Sequence, residues 1–183
     1  MADWYVPSDR IPALLGALLD LDLDEPERAA AIGALVQTVA LPVPAAGLEP
    51  HRHWIDECYS EGPVEAIVAR LVAHADPAAQ IAAMEIGRKS PTAVKVAHEA
   101  LHTARDLGSL EAALDQEFRV SSRCFAAPDL VEGIRAQVID KDRNPHWDPP
   151  ELEKVTEEQV HSYFEPLGPE GGHELGLASG TTR

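Results

Sequence analysis

Between residues 64 and 166, stretches of apolar residues alternate with helix-start signals, and that alternation constrains the chain more than any other feature. Asp76-Pro77 and Ser90-Pro91 each set an N-cap side chain before a proline at the first helical position, where a missing N–H does no harm. Gly108-Ser109 closes one helix and opens the next, and Thr156 with Gln159 has the spacing of a capping box. Behind these signals the apolar residues recur with a helical period. Val64, Ile67, Val68, Leu71 and Val72 fall at i, i+3, i+4, i+7 and i+8, which puts all five on one stripe that must be buried. Leu110, Leu114, Phe118, Ser121 and Phe125 make a continuous face on a later helix, and Pro128-Asp129 opens a short helix to about Ile139. The chain therefore reads as all-α, with few strands.

The flanks follow the same grammar. Ser8 is expected to cap a helix running to about Leu19, and Asp24 with Glu27 has capping-box spacing for a second helix through about Val39, with Pro26 in its tolerant first turn. Leu41 to Pro50 and Asp140 to Pro150 each carry three prolines, so both are expected to be loop or extended chain. A final helix should run from Thr156 to about Phe164. Past Pro166 the chain is Gly-rich without apolar periodicity, so the expected organisation is a helical region over 1–166 and a disordered tail over 167–183. There is no repeat of fixed period.

Composition excludes several classes. With 183 residues, 45% hydrophobic and 25% charged, the chain can build a folded core. Fifteen basic against thirty-one acidic side chains give a formal charge of −16, which repels nucleic acid and anionic membrane surfaces. The longest apolar stretches, Ile11 to Leu19 and Ala29 to Val36, fall short of the roughly 18 residues a membrane span requires. Cys58 and Cys124 are isolated, and Met1-Ala2-Asp3-Trp4 lacks the basic start of a signal peptide, so a reducing cytoplasm is expected.

Three runs carry chemistry. They are Ser90-Pro91-Thr92-Ala93-Val94-Lys95, then Glu117-Phe118-Arg119 with Ser121 and Ser122, then Glu132-Gly133-Ile134-Arg135-Ala136 leading into Ile139-Asp140-Lys141-Asp142-Arg143-Asn144-Pro145-His146-Trp147. Their order and spacing closely resemble the C-terminal region of 3-hydroxyisobutyryl-CoA hydrolases, within the enoyl-CoA hydratase/isomerase (crotonase) superfamily. Tyr5-Val6-Pro7-Ser8 and Glu153-Lys154-Val155-Thr156-Glu157-Glu158 extend the resemblance to about residues 3 to 167. It implies a thioester hydrolase of valine catabolism, or a relative of other acyl-CoA specificity. In that family two backbone amides form an oxyanion hole and carboxylates handle the proton transfers, all on an N-terminal β/α spiral core.

No Gly-Gly oxyanion segment precedes the helices here, so the resemblance implies a C-terminal half with no catalytic residue of its own and no cofactor. The partners it implies are an acyl-CoA substrate held through the absent N-terminal half, that half or another crotonase-type subunit, and further copies of the chain. Lys141 and Arg143 stand where a basic contact to CoA phosphates is expected, with Trp147 near the acyl or adenine end. Their alternation with Asp140 and Asp142 equally fits a solvated turn with local ion pairs. Where other members place an aromatic after the Glu-Gly-x-x-Ala run, this chain has Gln137 and Val138. A free-standing helical interaction module without chemistry is the reading from a different class.

Two further patterns resemble metal sites. His98-Glu99-Ala100-Leu101-His102 matches the zinc-protease helix, in which two His one turn apart bind zinc and Glu activates water. Arg105 and Gly108 occupy the positions where one class of such proteases has its Gly and third His, and Glu111 or Glu117 would have to reach across the Gly108-Ser109 break. His51, His53, Trp54 and Cys58 cluster in sequence at a helix start, where a partly exposed His is common. Neither is expected to hold a metal.

Overall fold

The computed structural model describes residues 3–21, 28–168 and 174–177. Contacts divide the chain at Pro50 into two compact units. In the first, a 3-10 turn over Ser8–Arg10 leads into α1 (Ile11–Leu19), and α2 spans Arg28–Val39. Ser8 does not cap as its side-chain chemistry suggests. Pro7 occupies the position before the 3-10 turn, and Pro12, inside the first turn of α1, begins the α-helix only after Arg10. The Asp24–Glu27 capping box lies outside the described residues. Leu41 N–H donates to the Tyr5 carbonyl at 2.9 Å in an isolated bridge, and the Arg10 guanidinium reaches the Val39 carbonyl at 3.3 Å, a cation at the negative end of α2. No described residue of α1 or α2 is buried.

The second unit contains α3 (Arg52–Cys58), α4 (Val64–Ala73), α5 (Pro77–Gly87), α6 (Pro91–Ala104), α7 (Leu110–Ala126), α8 (Pro128–Ile134) with a π-helical continuation over Arg135–Ile139, and α9 (Glu157–Ser162). The start signals perform as their chemistry requires. Asp76, Ser90 and Ser109 accept from the backbone N–H of Ala78, Ala93 and Ala112, and Thr156 and Gln159 close a reciprocal capping box. The described residues contain no β-strand, and no helix among them is long and apolar enough to cross a membrane.

The core joins α3, α4 and α5 through Trp54, Cys58, Ile67, Leu71, Ala79 and Ala83. Ala79 and Ala83, one turn apart, let α5 approach α4 closely enough for Leu71 to lose all solvent contact. The five-residue stripe is corrected at one end: Val72 is 61% exposed. At 3.6 residues per turn it lies about 90° round the helix from the centre of the other four, outside the buried arc. Leu71→Ala should therefore cost about 2–5 kcal/mol, and Val72→Ala should stay within about 0.5 kcal/mol. Urea midpoints of the two variants check the pair; similar losses at both positions would contradict the placement of the core.

Polar ties position the later helices. Lys95 on α6 pairs with Glu65 of α4 at 2.5 Å and donates to the Val155 carbonyl at 3.0 Å, joining two helices to the segment before α9. Thr103 donates to Gln116, and Gln116 donates back to the Ala100 carbonyl, locking α6 to α7. Part of the segment expected to be disordered is held against α7: Glu174 pairs with Arg119 at 2.7 Å and accepts from Leu167 N–H, and Leu177 N–H donates to buried Asp115. The rest of that segment, apart from residues 167, 168 and 174–177, lies outside the described residues.

Candidate functional site

Arg135 organises the loop that follows α8. Its guanidinium makes a two-bond fork with Glu132, at 2.8 Å through each of two nitrogens, one helical turn earlier. The third nitrogen donates to Asp140 at 2.7 Å and to Asp142 at 2.6 Å, and Nη2 also reaches the Asn144 carbonyl. Five donors in a fixed planar fork suit this task, which a lysine could not perform. The Arg135 hydrogen bonds, followed by one from the His146 backbone N–H, hold the Glu132 carboxyl down at about 2. Asp142 is likewise lowered, first by Arg135 and then by the Asn144 N–H.

This arrangement bears on the ion pairing expected for Lys141 and Arg143. The aspartates alternating with them belong to Arg135, so among the described residues neither cation has an ion-pair partner. Both are exposed, and both have left-handed backbone, with φ of 58° and 54°. Arg143 N–H donates to the Ala136 carbonyl near the start of the π-helical turn, and that bond with the Arg135 fork pins the reversal. The loop thus presents two exposed positive charges on a chain of net charge −16.

Trp147 is placed by the same unit. Its indole N–H donates to the Arg88 carbonyl at 3.1 Å, and its ring edge lies over Gly133, where a Cβ would meet ring carbons at 3.4 and 3.6 Å. Gly133 is therefore the floor on which the indole rests, and anything larger than alanine would lift it. Asp129 accepts from Asp148 N–H and from the Ser90 hydroxyl, tying the far end of the loop to the start of α6.

Two adjoining cavities share Lys89, Gln137 and Trp147. One, of about 480 Å³, is apolar, with Ala93, Cys124, Leu130, Ile134 and Tyr163 in its walls. The other, of about 1170 Å³, has Lys89, Arg143 and the Arg88–Glu85 ion pair in its lining. Sequence reasoning named Lys141, Arg143 and Trp147 but missed Arg88 and Lys89, whose signal was a basic pair immediately before the Ser90 cap. Arg135 was quoted without a role, although its i+3 spacing from Glu132 is that of a helical ion pair. Gln137, in place of an aromatic, lines both cavities.

The histidines near α3 are structural. His51 accepts from the Trp54 indole, while His53 and His74 lie 3.5 and 3.6 Å from Asp76 and Glu57. Cys58 is wholly buried, which pushes its thiol pKa up. Among the described residues, no group of three or more His, Cys, Asp or Glu side chains is placed to hold a metal ion. The zinc-protease pattern on α6 thus lacks its third protein ligand there.

Residues 1–164 match the family model described as Enoyl-CoA hydratase/isomerase. The mitochondrial 3-hydroxyisobutyryl-CoA hydrolase of Rattus norvegicus is 36% identical over 120 residues, 66% of this chain and 31% of that protein. The same-named protein of Xenopus tropicalis is 31% identical over 92% of this chain and 44% of its own length. A crystal structure named as a carnitinyl-CoA dehydratase from Mycobacterium thermoresistibile superposes with a TM-score of 0.78 at 42% identity, covering 92% of this chain and 46% of the other. The chain thus spans less than half the length of the relatives it matches.

Proposed function

The chain belongs to the enoyl-CoA hydratase/isomerase family, and from that premise we propose that it is the helical, CoA-side part of an acyl-CoA thioester hydrolase acting on 3-hydroxyisobutyryl-CoA. One observation carries the reading: Arg135 takes up Asp140 and Asp142 and leaves Lys141 and Arg143 free to meet an anion. A CoA ester combines phosphates with a long, less polar arm. The cavity carrying Lys89 and Arg143 and the apolar cavity, sharing Trp147, match those two demands side by side. On an acidic chain, a phosphate ligand needs such a local reversal of sign.

In this reading Lys141, Arg143 and Lys89 hold the phosphates, Trp147 packs against the arm, and the carbonyl chemistry belongs to the N-terminal core of the family fold. Water attacks the thioester carbonyl there, and the CoA thiol leaves with the proton returned to it. This chain orients the CoA end and supplies no catalytic residue.

A second reading has its own support. The structure named as a carnitinyl-CoA dehydratase is 42% identical to this chain, so a different acyl group and a hydration or elimination reaction are the alternative. One experiment separates them. The full chain is mixed with the N-terminal half of a family relative and offered 3-hydroxyisobutyryl-CoA, carnitinyl-CoA and crotonyl-CoA. The hydrolase reading expects free CoA thiol to appear from the first, at a rate above that half alone. Turnover of the others without thiol release favours the alternative, and no gain with any substrate overturns both. CoA binding by the chain should also weaken at least tenfold in the double variant Lys141→Ala, Arg143→Ala, with a shallower dependence on salt.

A further inference from the structure

The cavity on the opposite side of α6 from the Trp147 loop is lined by Glu65, Lys95, His98, His102, Glu157 and His161, among others, and has a volume of about 780 Å³. Nothing in the acyl-CoA reading uses it. Lys95, its one lysine, is already committed to Glu65 and to the Val155 carbonyl, so the remaining carboxylates give the space a negative character.

Within it, His98 and His102 sit one turn apart on α6 with their rings 4.4 Å from centre to centre. The two Nε2 atoms face each other at 3.1 Å. Two nitrogens on one metal ion at about 2.0–2.1 Å, subtending about 95–109°, lie about 3.0–3.4 Å apart. The helix therefore holds both ligand atoms at the separation a bound ion would require. In the empty pair the same distance is bridged by one N–H···N hydrogen bond, whose proton the metal would displace.

We propose that His98 and His102 form a two-imidazole clamp for a divalent transition-metal ion, with water filling its other coordination positions. The ligand class follows from the donors: imidazole suits Ni²⁺, Cu²⁺ and Zn²⁺, whereas Mg²⁺ and Ca²⁺ take oxygen ligands. The site differs from a zinc-protease centre in having no third protein ligand among the described residues. Glu99 and Glu157 line the same cavity, where they attract the cation and can accept hydrogen bonds from its waters.

The test is calorimetric titration of the full chain with NiCl2, CoCl2 and MnCl2, followed by thermal melts with and without NiCl2. The clamp expects one ion per chain, with affinity rising from Mn²⁺ through Co²⁺ to Ni²⁺. His98→Gln and His102→Gln should each lower Ni²⁺ affinity at least tenfold and abolish the rise in melting temperature. His53→Gln should change neither. Unaltered melting of the metal-free variants would establish that the fold is intact. No saturable binding, or binding that survives either α6 substitution, overturns the proposal.

Discussion

Replacing Arg135 with methionine should raise the Glu132 carboxyl from about 2 toward its ordinary 4.5 and release the loop that carries Lys141 and Arg143. Methionine keeps much of the side-chain length and removes all five donors. Three carboxylates and the Asn144 carbonyl then face one another with no cation between them. The His146 N–H still donates to Glu132 in the variant, so the carboxyl should recover most but not all of the shift. Titration of its carboxyl carbon by NMR reads this directly, and a value still near 2 in the variant would contradict the fork as its cause.

The pH dependence has a definite sign. Glu132 has a folded pKa below its unfolded one, so it binds protons more readily when the chain is unfolded. Its contribution to stability is complete above about pH 4.5 and is lost as the pH falls through that value toward 2. Asp142, shifted the same way, adds to the loss. Urea midpoints of the native chain should fall across this window, and those of the Arg135 variant should be flatter there. The loop also changes its backbone. Lys141 and Arg143 each hold a left-handed conformation that costs a side-chain-bearing residue about 1–2 kcal/mol. Without the Arg135 bonds the loop can relax out of it, and CoA affinity should fall as far as in the Lys141, Arg143 double variant.

The helices were legible because their signals are local. A Ser or Asp before proline, or a Thr three residues before Gln, acts within one turn and needs no knowledge of the rest of the fold. Ser8 misled because its own residue enters a 3-10 turn, and the onset of that turn depends on the neighbouring prolines rather than on the hydroxyl. Val72 misled because i+8 drifts away from the centre of a four-residue arc. In the loop after α8, the Lys-Asp-Arg-Asn-Pro-x-Trp run singled out Lys141, Arg143 and Trp147 without showing what holds them. Sequence offers Asp140 and Asp142 to their immediate neighbours, and only the structure reveals that Arg135 takes both. Arg88 and Lys89 were hidden for the same cause: they join the site through a contact between residues 88 and 147, far apart in the chain.

The chain in dilute buffer should bind a hydrophobic dye and associate with itself, and the double variant Leu114→Glu, Phe125→Glu should lose both behaviours without losing stability. The periodic face that predicts a buried surface on α7 is exposed in this unit: Leu110 is 70%, Leu114 42%, Phe118 37% and Phe125 79% accessible. A single exposed leucine is ordinary, but aromatic and aliphatic side chains aligned along one helix form a patch of the kind that marks an interaction surface. The matched relatives carry more than half their length outside the region shared with this chain, and that part of the family fold is the occupant proposed for this face. Adding the N-terminal half of a relative should therefore displace the dye and dissociate the self-associated chain. The two glutamates should prevent that docking as well. Because substitutions at exposed positions leave stability within about 0.5 kcal/mol, a lowered melting temperature in the double variant would show that the face is part of the core of this unit. Equal dye binding before and after substitution would place the exposed apolar surface elsewhere.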